Sequence, residues 1–218
     1  DLAIKHPQTS DEPKTWKYRG DIFKAIYSDT SKAVRDIDLE AEEKALEAYI
    51  RCLELDKGKD IYKDDVKGPL VLAAGATRNK ANFYKFNKQY DKALHCYNLL
   101  QKSIAFDFDG GIKRNNITEE KLLFEKFLLY QDAGDKEKTK EMADKLIEMN
   151  YKEPRIYTDM MKISLTDKDT AAALSYIEKG KVLFEENMDL IGKEIDIYRA
   201  RKKTDVLKMK VRDAIEIS

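Results

Sequence analysis

Glu40-Ala41-Glu42-Glu43-Lys44-Ala45-Leu46-Glu47-Ala48-Tyr49-Ile50-Arg51-Cys52-Leu53-Glu54-Leu55-Asp56 is the stretch that decides the fold. Ala41, Ala45, Ala48, Tyr49, Cys52 and Leu53 recur at steps of three and four, which places them on one face of a helix. The same period runs through Tyr90 to Ile104, Leu122 to Tyr130, Met142 to Met149, Ala171 to Phe184 and Ile191 to Ala200. No segment alternates cleanly enough to read as a strand. Start signals agree with this. Asp91, Thr118, Asp135 and Asp169 stand just before periodic runs, where a short oxygen side chain accepts from free N–H groups. Glu119, Glu120 and Glu137 fall in first turns, where the helix dipole favours anions. Pro154 opens a helix at a position where its missing N–H costs nothing. The predicted helices are 13–29, 39–56, 70–88, 91–105, 118–133, 136–149, 154–166, 170–186, 188–202 and 204–217. The connections 57–69 and 106–117 are polar and contain Gly, and so are expected on the surface.

The bulk composition narrows the functional classes. The chain has 218 residues, 41 Lys+Arg and 41 Asp+Glu, so its formal charge is zero. A nucleic-acid protein needs a basic surface to neutralise phosphates, and a membrane-surface protein needs a polybasic patch. Neither partner is expected. Charged residues at 38% and hydrophobic residues at 42% are too apolar a mixture for disorder. Nine Gly and four Pro supply too few turns for an all-β fold. The longest apolar run, Leu70 to Ala76, falls short of the roughly 20 residues a membrane helix needs, so no membrane span is expected. The chain opens at Asp1 without a basic-then-apolar start, which reads as a cleaved or trimmed beginning. Cys52 and Cys96 match no zinc spacing, and read as free thiols on helix faces.

The helices repeat. Ala93, Thr139, Ala173 and Leu207 are separated by 46, 34 and 34 residues. Tyr97, Ala143, Ile177 and Val211 follow four further on, and Leu100, Leu146, Gly180 and Ala214 seven further on. Nine residues before each stand Tyr84, Tyr130, Ser164 and Tyr198. A period of 34 is that of the tetratricopeptide (TPR) repeat, a helix–turn–helix unit. The chain resembles that family residue by residue. Trp16, Gly20 and Phe23 match the first-helix part of the motif, with Arg19 where Leu is usual. Ala45, Tyr49 and Cys52 are similar to its second helix after an insertion, and Tyr130, Gly134 and Thr139 match its turn. Ser164 replaces Tyr in the fourth copy, and the terminal Pro is absent. The resemblance covers roughly residues 13 to 217 and implies an all-α fold, a right-handed TPR-like α-solenoid of about five helical hairpins forming a single domain over 1–218.

The segment Lys14-Thr15-Trp16-Lys17-Tyr18-Arg19-Gly20-Asp21-Ile22 also resembles a stretch of uncharacterised exported TPR proteins of Gram-negative bacteria, which implies a periplasmic or exported address. Leu2-Ala3-Ile4 then reads either as the end of a preceding helix of a longer solenoid or as a frayed tail.

Chemistry-bearing motifs are scarce. The two histidines, His6 and His95, have no nucleophile partner at a telling spacing. There is no His-Glu-x-x-His, no Gly-rich loop ending Gly-Lys-Ser/Thr and no Gly-x-Ser-x-Gly. No catalytic residue, metal ligand or cofactor is read from the chain, and an enzyme is not expected. Asp107-Phe108-Asp109-Gly110 begins like a calcium loop, but its Gly comes two positions early and an ordinary turn is the better reading. Asn116-Ile117-Thr118 fits a glycosylation acceptor, yet Thr118 already serves as a helix cap.

The TPR resemblance implies that first helices of each hairpin line a concave groove that holds a protein or peptide. On the second such helix Arg78, Asn82 and Lys85 share a face, with Asn79 beside them. Arg can hold a carboxylate with two charge-assisted bonds, and Asn can bond a peptide amide. Lys17, Asp21 and Lys24 extend this polar face on the first helix. Phe124, Glu125 and Leu128 occupy the corresponding face of the third, so the pattern is not a complete carboxylate clamp. A solvated charged face is the plain alternative. The expected role is a non-catalytic protein- or peptide-binding scaffold. The rivals are self-assembly into a homo-oligomer through an uncapped end, and a small-molecule or glycan binder using scattered aromatic residues.

Overall fold

The computed structural model describes residues 2–217. The protein is all-helical, with 77% of it in helices and no strand among the described residues. Twelve α-helices follow in order: α1 Pro13–Ser28, α2 Lys32–Arg35, α3 Ala41–Asp56, α4 Lys63–Phe86, α5 Tyr90–Ser103, α6 Gly111–Arg114, α7 Glu119–Ala133, α8 Lys136–Glu148, α9 Pro154–Thr166, α10 Thr170–Leu183, α11 Met188–Ala200 and α12 Thr204–Ile217. Ala3–Lys5 and Ile104–Phe106 add single 3-10 turns. The chain divides into two compact units, one ending at Asp135 and the other beginning at Lys136.

In the first unit α1 packs on α3, α3 on α4 and α5, α4 on α5 and α6, and α5 on α7. Its core is built from Leu46, Tyr49, Leu70, Tyr97, Leu100 and Ile112, all buried. In the second unit α8 packs on α9, α9 on α10, α10 on α11, and α11 on α12. Ile156, Tyr157, Met160, Met161, Ile177 and Leu190 fill it. Glu194 of α11 is buried there between two ammonium groups, Lys181 of α10 at 2.7 Å and Lys210 of α12 at 2.9 Å. Burial pushes the Glu194 carboxyl up, but the bonds from these lysines outweigh it and hold the group below its ordinary value.

The turns before the repeated columns share one backbone form, which also ends α6 at Asn116 and α8 at Asn150. Lys88, Gly134, Lys168 and Lys202 have left-handed φ of 58°, 77°, 61° and 53°. Each ends a helix, and the next residue folds its N–H back onto the carbonyl five residues earlier. These bonds are Gln89 to Tyr84 (2.8 Å), Asp135 to Tyr130 (2.9 Å), Asp169 to Ser164 (2.9 Å) and Lys203 to Tyr198 (3.2 Å). This is the Schellman end of a helix, which uses carbonyls that would otherwise be orphaned. Ser164 in place of Tyr therefore leaves the turn intact, because its backbone oxygen is the acceptor. The columns that follow are buried in three copies: Ala93, Tyr97 and Leu100; Thr139, Ala143 and Leu146; Ala173, Ile177 and Gly180. On α12 Leu207 and Ala214 are only half-buried and Val211 is exposed.

Small residues set how closely helices approach. A Cβ on Gly20 would lie 2.5 Å from the Tyr49 ring, and one on Gly180 would lie 2.7 Å from Leu190 and 2.9 Å from Tyr157. The rings occupy the space that a side chain would fill, as close packing of an interior requires.

Three expectations change. α4 begins at Lys63, not at 70, and runs through Pro69. Val66, Leu70 and Ala73 are all buried, so one continuous apolar stripe carries the helix across the residue that lacks a donor. The connection 106–117 is not all surface: it holds α6, and Ile112 and Ile117 are buried. Asp107 makes this a turn, its two carboxylate oxygens accepting from Ile112 N and Lys113 N at 2.9 Å each. Of the proposed caps, Thr118 accepts from Lys121 N and Asp169 from Ala172 N, whereas Asp91 lies one residue inside α5 in its first turn. Both cysteines are free and fully buried. Burial pushes the Cys52 thiol up to about 12, so it is inert at neutral pH.

Two glycine substitutions separate the two causes. Gly134→Ala is expected to cost about 1 kcal/mol through left-handed backbone alone, because open space surrounds the added methyl. Gly20→Ala is expected to cost about 1–2 kcal/mol by overpacking against Tyr49, after its helix-propensity gain. Denaturant midpoints measure both, and unchanged or raised midpoints would contradict these origins.

Candidate functional site

Arg78, Asn79, Asn82 and Lys85 all lie on α4, a consequence of the apolar stripe Ala73, Ala74, Thr77, Ala81 and Tyr84 turning the other face outward. Asn79 and Asn82 are exposed. Arg78 Nη1 donates to the Asn115 carbonyl at 2.9 Å, so its guanidinium fastens α4 to the turn before α7. Lys85 Nζ makes an ion pair of 2.7 Å with Glu125 of α7. Glu125 also accepts from the Tyr97 hydroxyl at 3.4 Å. Burial, together with that carboxylate, pushes the Tyr97 phenol well above its ordinary value. The face of α7 that looked mismatched in sequence thus supplies the counter-ion for Lys85.

Lys17, Asp21 and Lys24 lie on α1. Lys17 and Asp21 pair at 2.9 Å, and Asp21 accepts from the Tyr49 hydroxyl at 2.9 Å. The hydrogen bond to Asp21 raises the Lys17 pKa, with a smaller contribution from Asp65. Asp65 is thirteen residues before Arg78 on α4, about 20 Å along the helix at 1.5 Å per residue. The α1 set therefore neighbours the start of α4, and the Arg78–Lys85 set occupies its other end.

At that other end a cavity of about 660 Å³ is lined by Asn82, Lys85, Phe86, Lys88, Tyr90 and Asp132. Phe86 is 87% exposed and Phe83 is 56% exposed. The left-handed turn at Lys88 reverses the chain here, and Tyr90 donates to the Asp132 carbonyl at 3.0 Å, closing one wall. Two ammonium groups and a carboxamide stand beside an uncovered aromatic ring. The arrangement can pair a carboxylate or carbonyl while covering an apolar side chain. Lys88, Tyr90 and Asp132 were not singled out in the sequence. Lys88 and Tyr90 flank the turn that follows Tyr84, whereas Asp132 is brought in from α7.

A second cleft of about 390 Å³, on α1, α3 and α5, contains Arg19, Glu43, Lys44, Lys92 and His95. Its cations have partners: Lys44 with Asp38 at 2.7 Å, Lys92 with Glu40 at 3.0 Å, and Arg19 with the Lys44 carbonyl at 3.1 Å. Glu43 is 5% exposed, and its Oε2 has no hydrogen-bond partner. The Cys96 thiol faces its Oε1 at 3.6 Å. Burial pushes the Glu43 carboxyl up from 4.5. Among the described residues no group of three or more His, Cys, Asp or Glu is placed to hold a metal ion, and no helix is long and apolar enough to cross a membrane.

No protein-family model matches the chain, and no curated protein is detectably similar to it.

Glu43 gives a pH test. Its folded-state pKa is raised, so the neutral carboxyl costs nothing below the ordinary value, and the stability it contributes is lost as pH rises through the folded value. Relative to Glu43→Gln, the wild type is expected to lose stability progressively as pH rises from 4.5 and then to level off. Chemical denaturation at several pH values measures the difference. A difference independent of pH would contradict the burial cause.

Proposed function

We propose that this chain is a TPR-like α-solenoid that acts as a non-catalytic scaffold, binding a peptide segment of a protein partner along the exposed face of α4. The fold part of this reading is supported by the 34-residue spacing of equivalent turns, by helices that pack chiefly on their neighbours in sequence, and by the glycine-to-ring contacts at Gly20 and Gly180. The functional part is carried by one observation. An almost fully exposed Phe86 stands at the rim of a cavity whose polar lining is Asn82, Lys85, Lys88, Tyr90 and Asp132. Exposed apolar area ringed by polar groups has the anatomy of an interface, an apolar centre with a polar rim, and Phe83 adds to the area beside Phe86.

The mechanism is recognition by a rigid surface. Phe86 supplies buried area on binding, while Lys88 favours an acidic or carbonyl-rich segment over a basic one and Lys85, its charge met by Glu125, has further N–H groups for a carbonyl. Lys85 is already held by Glu125, so it arrives without losing much side-chain freedom. Arg78 has a structural task and contributes less to the ligand than its position in the sequence suggests.

A random-peptide phage library selected against the full chain tests this. Enriched peptides are expected to combine an apolar residue with an acidic one. Phe86→Ala is expected to weaken them by about tenfold or more without changing thermal stability, and Lys85→Glu to shift selection away from acidic sequences. No enrichment over an immobilised blank, or equal binding by Phe86→Ala, would contradict the reading.

A further inference from the structure

A third cleft, of about 540 Å³, lies between the first turns of α4 and the 106–114 connection. It falls within the roughly 300–1,000 Å³ of small-molecule sites. Its apolar floor is Pro69, Leu72, Phe106 and Phe108, of which Leu72 is 60% and Phe108 42% exposed. The two phenyl rings meet edge to face with centroids 6.4 Å apart. Around that floor, donors and acceptors are interleaved. Lys67 bridges Asp64 at 3.0 Å and Asp109 at 3.3 Å, and Arg114 donates to the Asp109 carbonyl at 2.6 Å.

The walls are fixed from behind. Asp107 caps α6 with both carboxylate oxygens, and Ile112 is fully buried. A Cβ on Gly111 would come within 2.8 Å of Val71, so α6 is seated directly on α4. The Lys63 ammonium lies 4.7 Å from the centre of the Phe108 ring and holds it from one side. An aromatic floor positioned in this way keeps its shape before any ligand arrives.

We propose that this cleft binds a neutral saccharide of one or two rings. Asp64, Lys67 and Asp109 are paired with one another, Asp107 is held by two backbone amides and Arg114 by a main-chain carbonyl, so each charged group of the lining already has a partner and none is left bare to select an ion. A pyranose has the matching chemistry: an apolar C–H face for Phe108 and Leu72, and hydroxyls that both accept from Lys67 or Arg114 and donate to Asp64 or Asp109. The site is separate from the Phe86 cavity and stands independently of the peptide-binding role.

The test is a titration of the isotope-labelled full chain with glucose, galactose, N-acetylglucosamine, maltose and cellobiose, followed by amide shifts. At least one sugar is expected to move Leu72, Phe106 and Phe108. Phe108→Ala and Lys67→Met, both at exposed or half-exposed positions, are expected to weaken it by about tenfold while leaving the circular dichroism unchanged. Glucuronate and glucosamine are expected to bind no better than the neutral sugars. Silence across the panel, shifts that survive in Phe108→Ala, or preference for a charged sugar would each overturn the proposal.

Discussion

A single backbone constraint underlies most of the structure: a helix that stops with one residue in the left-handed conformation and a hydrogen bond reaching back over six residues. It occurs after Tyr84, Ile112, Tyr130, Leu146, Ser164 and Tyr198, and within the units the helices it joins pack on each other where α4 meets α5, α9 meets α10 and α11 meets α12. After Tyr84, Tyr130 and Ser164, a residue nine positions beyond the acceptor carbonyl begins the next helix's buried stripe. Ala93, Thr139 and Ala173 take that place and are buried. At Lys88, Lys168 and Lys202 the left-handed residue is Lys, which occupies this region at a cost that Gly134 avoids. The surrounding packing must hold those three, which ties local turn and tertiary contact together.

The turns also place the candidate face on α4. Lys88 ends α4 and Tyr90 opens α5, so the cavity beside Phe86 exists because the chain reverses there. Glu125 then reaches Lys85 from α7, and Arg78 reaches the Asn115 carbonyl. Polar side chains on α4 that share one face in sequence therefore divide into Arg78 and Lys85, which bind neighbouring segments, and Asn79 and Asn82, which are left exposed.

Helix type and register were legible because the pattern is dense. Six apolar positions in α3 keep one face, and the columns are buried after three of the four turns that precede them. The start of α4 was illegible for a local reason: Gly68-Pro69 reads as a break, yet Val66 and Leu70 bury on either side of it and tertiary packing overrides propensity. The buried pair Ile112 and Ile117 was hidden inside Asp-, Gly- and Asn-rich sequence that has the composition of a surface loop. Their isolation as the apolar residues among Lys113, Arg114, Asn115 and Asn116 was the available signal. At the site, Asn82 and Lys85 were found from helical spacing, whereas Lys88 and Asp132 come from other segments brought in by the turn. That Arg78 and Lys85 are both tied to neighbouring segments depends on atoms across the helix boundary, which spacing alone does not encode.

The repeated turn can be observed directly by nuclear magnetic resonance of the labelled full chain. A left-handed residue gives a strong intraresidue contact between its amide and α protons, and an amide bonded across six residues exchanges slowly. Lys88, Lys168 and Lys202 are expected to show that contact, and the amides of Gln89, Asp135, Asp169 and Lys203 to be protected from exchange together. Weak contacts at the three lysines with rapid exchange at the four amides would mean that the turns are not equivalent, and the account of this fold as a repeated unit would be wrong.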